Sequence, residues 1–211
     1  QAIDAFIEAV QNDPDTSELH FALGNLFRRR GEYERAVRVH EHLLSRADLS
    51  RADRHRAQHA LALDYLKAGL LDRAEEALRK LEGTAYEGQA LLALLAIYER
   101  SRDWARASEI TAKLEASGQG SFSGRQAHYL CEQATQAPND EATLLLHRAM
   151  EVAPSAARPG IDMAALQRRA GDEKAAFETL AALANSAPAS IPLFARPLVE
   201  SALASGEREA A

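Results

Sequence analysis

The chain has 211 residues, 46% hydrophobic and 27% charged, with a formal net charge of −6 and no basic arm, so nucleic-acid binding has little electrostatic support. Its one cysteine, Cys131, fits a reducing compartment and excludes an intrachain disulfide or an all-cysteine zinc or iron–sulfur site within the chain. The longest apolar run, Ala90 to Tyr98, is nine residues, far short of the roughly 20 needed to cross a bilayer, so no membrane insertion by this chain is expected.

Alanine and leucine dominate and β-branched runs are nearly absent, which favours helix almost throughout. The first predicted element is an amphipathic helix from Ala2 to Val10, stopped by Asp13-Pro14. Within it, Ala2 is followed by Phe6, Ala9 and Pro14. The same offsets return at Ala36, His40, Leu43 and Asp48, then at Ala74, Leu78 and Leu81, and at Ala107, Thr111 and Leu114. They recur at Ala142, Leu146, Ala149 and Pro154 and at Ala176, Leu180, Leu183 and Pro188, with lead alanines 34, 38, 33, 35 and 34 residues apart. Upstream of these alanines lie Leu23-Gly24-x-x-Phe27, Leu61-Ala62-x-x-Tyr65 and Leu94-Leu95-x-x-Tyr98. Turn signals stand between the halves at Arg30-Gly31-Glu32, Ala68-Gly69-Leu70, Arg102-Asp103 and Ala170-Gly171-Asp172. Each unit therefore reads as helix, tight turn, helix, break.

A period near 34 with small and large residues at fixed helix contacts is the tetratricopeptide spacing. The small residue lets two helices approach closely, and the large one four positions on fills the groove against the next unit. One hairpin cannot bury its apolar face alone, so stacking is required. The predicted fold is an all-α, right-handed tetratricopeptide α-solenoid of antiparallel helix pairs, forming a single array over 1–211. Full units are predicted at about 17–50, 55–87, 88–121, 123–156 and 157–190, with a half-repeat over 1–14 and a partial unit over 191–205. The fourth unit is the least regular, since Tyr129-Leu130-x-x-Gln133 lacks the aromatic and Ala137-Pro138-Asn139 makes its turn. Half-repeats at both ends are expected of a piece of a larger protein. They are also expected to self-associate end to end, through Phe6, Ile7, Leu193, Phe194 and Leu198 left without cover.

No nucleophile elbow, phosphate loop or dinucleotide fingerprint is present. His55 and His59, and His128 and Cys131, have helical spacing for two metal ligands each, fewer than the three or four a site requires. No cofactor is expected in this chain. Repeat scaffolds bind with the first helix of each unit, which nominates Phe21, Asn25, Arg28, Arg29, Arg56, His59, Leu63 and Lys67, with Arg100 and Arg169 in matching register. Arg29, Lys67, Arg100 and Arg169 would form a basic stripe for an acidic partner segment. Equally, cations are favoured in the last turn of any helix by the macrodipole. A carboxylate clamp of the kind some such arrays use is disfavoured, because Phe21 stands in the place of a lysine and Ala60 and Ala93 in the places of polar groups.

The wording from Leu23 to His40, LGNLFRRRGEYERAVRVH, goes beyond the generic repeat. With DYLKAGLLDRAE from Asp64 and AHYLCEQA from Ala127, it resembles the lipopolysaccharide assembly protein B family, strongly over about 17–135 and in register beyond. The resemblance implies an adaptor that regulates lipopolysaccharide synthesis in Gram-negative bacteria, bringing the lipid A deacetylase to a membrane protease. It also implies a position at the cytoplasmic side of the inner membrane, an N-terminal membrane helix, and a C-terminal rubredoxin-like metal module with paired CxxC motifs. Neither attachment is within these 211 residues. The alternatives from other classes are a peptide-binding scaffold for envelope or secretion assembly, and the accessory array of an enzyme such as a glycosyltransferase.

Overall fold

The computed structural model describes residues 17–206, and its regular structure is entirely helical, with no strand among the described residues. In chain order the helices are α1 (Ser17–Arg29), α2 (Tyr33–Ser45), α3 (Arg51–Ala68), α4 (Leu71–Arg79), α5 (Glu87–Ser101) and α6 (Trp104–Ala116). They continue as α7 (Ser123–Ala134), α8 (Asn139–Val152), α9 (Ala157–Arg169), α10 (Glu173–Ser186) and α11 (Ile191–Ser205), with a 3-10 turn over Pro188–Ser190. This is the all-α tetratricopeptide class of antiparallel helix pairs. The half-repeat expected over 1–14, with Phe6 and Ile7, lies outside the described residues. The described residues form two compact units, divided between Arg100 and Ser101.

The period is written into the packing. Ala36, Ala74, Ala107, Ala142 and Ala176 are all buried, so the small side chain sits where no larger one fits. Three of the turns close alike. Gly31, Gly69 and Gly171 adopt positive φ near 80°, and the next residue donates its N–H back five residues, Glu32 to the Phe27 carbonyl and Leu70 to the Tyr65 carbonyl at 2.9 Å and Asp172 to that of Gln167 at 3.0 Å. The turn before α6 lacks glycine, and Arg102 takes the left-handed conformation itself, at φ 57°. Three helix starts are fixed by side-chain caps: Ser50 accepts from the Asp53 N–H at 3.0 Å, Asp103 from the Arg106 N–H at 3.2 Å, and Asp172 from the Ala175 N–H at 2.9 Å.

In the first unit Phe21, Leu43, Leu49 and Ala57 form a core shared by α1, α2 and α3. Leu23, Phe27 and Ala36 close the α1–α2 pair. α1 and α2 meet at Gly24, where a Cβ would lie 2.4 Å from Cε1 and Nε2 of His40. His40 occupies the groove-filling position four residues after Ala36, so glycine is required opposite it.

In the second unit Leu130, Leu146, Met163 and Leu166 bind α7, α8 and α9 into one cluster. A second cluster of Ala164, Ala176, Leu180, Leu183 and Phe194 carries α11 against α9 and α10. This corrects the expectation for Phe194, which is fully buried because its ring fills the space beside Leu180 and Leu183. Leu193 points the other way and is 71% exposed, while Leu198 is half-buried.

Candidate functional site

Eight of the ten residues nominated from the first-helix register fall into three groups, and His59 and Leu63 stand apart from them. Phe21 is a core residue at 1% exposure, which corrects its assignment as a contact residue. Its ring is wedged between α2 and α3, and the guanidinium of Arg56 lies 4.0 Å above it. Arg56 itself pairs with Glu18 across from α3 to α1, with its second nitrogen 3.3 Å from the carboxylate, and this hydrogen bond raises its pKa.

The second group forms a buried polar tie. Arg28 leaves α1 and donates to the Ala60 carbonyl at 3.1 Å and to Asp64 Oδ1 at 2.8 Å, while its other terminal nitrogen donates to Asn25 Oδ1. The second Asp64 oxygen accepts from His40 Nδ1 at 2.5 Å. Asp64 and His40 are fully buried and the Arg28 side chain is 19% exposed. The tie thus joins α1, α2 and α3 with Asp64 at its centre, and His40 Nε2, facing Gly24, is left without a hydrogen-bond partner. Arg28 is therefore spent on the interior rather than presented to a partner, a correction to its nomination. Asn25 is half-buried and partly committed to Arg28.

His59 stacks on Tyr86 with ring centroids 4.8 Å apart. Burial, and then the Arg28 charge, hold its pKa below the ordinary imidazole value. Leu63, nearby on α3, is half-buried.

The third group is open to solvent. Arg29, Lys67 and Arg100 lie exposed in the last turns of α1, α3 and α5 in the first unit, and Arg169 ends α9 in the second. Arg29 borders a shallow groove with Ala22, Asn25 and Leu26. All four positions satisfy the macrodipole, and all four remain available to an anion.

The second unit holds its own polar tie. Arg158 on α9 reaches Glu132 at 2.8 Å and His128 Nδ1 at 2.7 Å on α7, and Asp162 one turn on at 3.2 Å. Trp104 stacks on Tyr129 with centroids 5.9 Å apart and meets the His128 ring edge-on. Between α7, α8 and α9 lies a cavity of about 320 Å³, bounded by Cys131, Ala134, Leu146, Asp162, Leu166 and Arg169 among others. The Cys131 thiol is buried, and burial together with the Asp162 charge pushes its pKa up to about 12. Among the described residues no group of three or more His, Cys, Asp or Glu side chains is disposed to hold a metal ion. No helix there is long and apolar enough to cross a membrane.

Sequence reasoning missed Asp64 as the hub of the first tie and Ala134 as the floor of the cavity. The signal for Asp64 was an acidic residue set among the core positions Leu61, Ala62 and Tyr65.

Comparison with known proteins places this geometry. The family model described as tetratricopeptide repeat matches residues 19–54. Lipopolysaccharide assembly protein B of Escherichia coli K12 is 35% identical over 185 residues, 85% of this chain and 48% of that protein. The protein of the same name from Haemophilus influenzae is 28% identical over 192 residues, with the same coverage. The chain spans about half the length of the curated relatives it matches. Among solved structures, a chain of Naa15/Naa10 bound to HypK-THB aligns over 89% of this chain and 29% of its own at TM-score 0.57 and 22% identity, a likeness of fold. YrrB, described as a TPR protein with an unusual peptide-binding site, aligns over 88% of this chain and 94% of its own at TM-score 0.48 and 18% identity. The chain is a tetratricopeptide-repeat array, similar over most of its length to about half of lipopolysaccharide assembly protein B.

Proposed function

We propose that the chain is a protein-interaction scaffold and serves as the adaptor region of a regulator of lipopolysaccharide synthesis. In this reading it holds the lipid A pathway deacetylase and a membrane protease together at the cytoplasmic side of the inner membrane. The observation that carries the reading is the similarity to lipopolysaccharide assembly protein B across 85% of the chain, on a fold whose helix pairs leave Arg29, Lys67, Arg100 and Arg169 exposed.

The physical logic is one of concentration. A scaffold that engages substrate and protease together makes the second encounter intramolecular, raising local concentration to the order of millimolar without covalent chemistry of its own. The partners are proteins, and the rubredoxin-like metal module and membrane helix of the family would lie outside these 211 residues. The test is depletion of the full-length protein in the bacterium that makes it, with deacetylase half-life and lipopolysaccharide level followed over time. A lengthened half-life is expected. An unchanged half-life would remove the proteolysis role and leave a scaffold with other partners.

A further inference from the structure

We propose that the cavity between α7, α8 and α9 is a socket for an acidic segment of a partner protein, taking one apolar side chain over Ala134 and a neighbouring carboxylate on Arg169. This rests on the scaffold reading above and adds a site and a partner chemistry to it.

The first argument is internal to the repeat. Eight positions before the lead alanines stand Arg28, Leu66, Glu99, Ala134 and Arg168. In the first repeat Arg28 crosses to the next first helix and ties it at Asp64, 2.8 Å away. In the fifth, Arg168 does the same toward α11, 3.0 Å from Glu200, and also pairs with Glu173 on α10 at 3.3 Å. In the fourth repeat the side chain at this position ends at Cβ. The space that an arginine fills elsewhere in the chain is the cavity of about 320 Å³. That volume lies at the small end of ligand pockets and suits one or two side chains.

The second argument is the charge. The floor is apolar, made by Cys131, Ala134, Ala142, Leu146 and Leu166. On the wall, Asp162 is already neutralised by Arg158 at 3.2 Å. Arg169, exposed at the mouth, has no ion pair among the described residues, so the charge left to attract a ligand is positive. α8 begins at the same mouth with Pro138 in the capping place and no side-chain cap, leaving its first N–H groups open to an acceptor. A lysine or arginine from a partner would meet Arg169 with its only counter-charge already taken.

The experiment uses the 211-residue chain and an immobilised array of octapeptides carrying Leu, Phe, Tyr or Met beside Asp or Glu, with Asn/Gln versions as controls. Acidic members are expected to bind and the amide versions to bind about tenfold more weakly or not at all. Ala134→Leu, which places in the socket the side-chain type that the second repeat carries at Leu66, is expected to lose binding about tenfold with its thermal transition kept. Arg169→Glu, at an exposed position, tests the charge without touching the core and is expected to lose at least as much. Absence of binding to every acidic member, or binding unmoved by both substitutions, would identify the cavity as a hydrated packing defect and overturn the proposal. If the array fails while depletion of the full-length protein still lengthens deacetylase half-life, the socket falls and the adaptor reading stands.

Discussion

The first and fourth repeats use one register position in opposite ways. In the first, Arg28 is driven inward to join Asp64 and His40, and three helices close around a charged centre. In the fourth, Ala134 leaves that place open, and α7 and α9 are held instead by Arg158 at a more exposed edge. A repeat protein stacks its neighbours through small alanines at fixed contacts, so the position eight residues earlier is free to serve cohesion in one unit and access in another.

The sharpest way to break this comparison is at its centre. Asp64→Ala leaves His40 and Arg28 without their shared anion and is expected to cost about 3–5 kcal/mol in urea unfolding. Arg168→Ala, on the less buried counterpart in the fifth repeat, is expected to cost about 1 kcal/mol or less. Equal losses would mean that burial does not distinguish the two ties. Next in size is Gly24→Ala, whose new methyl meets the His40 ring at 2.4 Å, and which is expected to destabilise by about 1–3 kcal/mol. Gly160→Ala, at 3.2 Å from a Leu183 methyl that can turn aside, should cost clearly less. A double variant of Gly24→Ala with His40→Ala should recover part of the loss if the ring is the cause.

In the fourth repeat, Ala134→Leu fills space rather than contesting it, and a change between zero and about 1 kcal/mol in the stabilising direction is expected. The smallest effect concerns His59. The folded chain holds this imidazole below its ordinary 6.5, so as pH falls through 6.5 the unfolded chain binds a proton that the folded one refuses. Stability from this residue is thus complete above that pH and declines below it. His59→Phe should flatten that part of the stability profile, and an unchanged acid slope would assign it to other groups.

Much of the architecture was legible because the repeats share one steric demand. Five alanines at one period announced five close helix contacts, and glycine marked three of the turns. The fourth turn was marked by Arg102-Asp103 without a glycine, and there Arg102 takes the left-handed conformation itself. The site was less legible. Phe21, Arg28 and Arg56 stand at first-helix offsets that suggest exposure, but spacing does not reveal where a long side chain turns. Each finds a neighbour on another helix, a ring against Leu43 or a guanidinium against Asp64 or Glu18, and that depends on residues 22, 36 and 38 positions away. Phe194 was misjudged for the same reason, as its cover comes from α10. The exposed cations Arg29, Lys67, Arg100 and Arg169 stand in the last turns of their helices, where the macrodipole alone would put them. The cavity was readable only by comparing the column Arg28, Leu66, Glu99, Ala134 and Arg168 rather than any one repeat.

The Asp64 tie also bears on how the first unit folds. A hairpin of this class can form from local contacts, and stacked hairpins then add one at a time. Asp64 instead collects partners 24 and 36 residues away, from both helices of the preceding hairpin. Until α3 docks, Arg28 lacks its counter-charge and His40 its hydrogen-bond partner. The smallest cooperative block is therefore three helices rather than two. Amide exchange should show α1, α2 and α3 opening together, with Asp64→Ala uncoupling α3 from the pair.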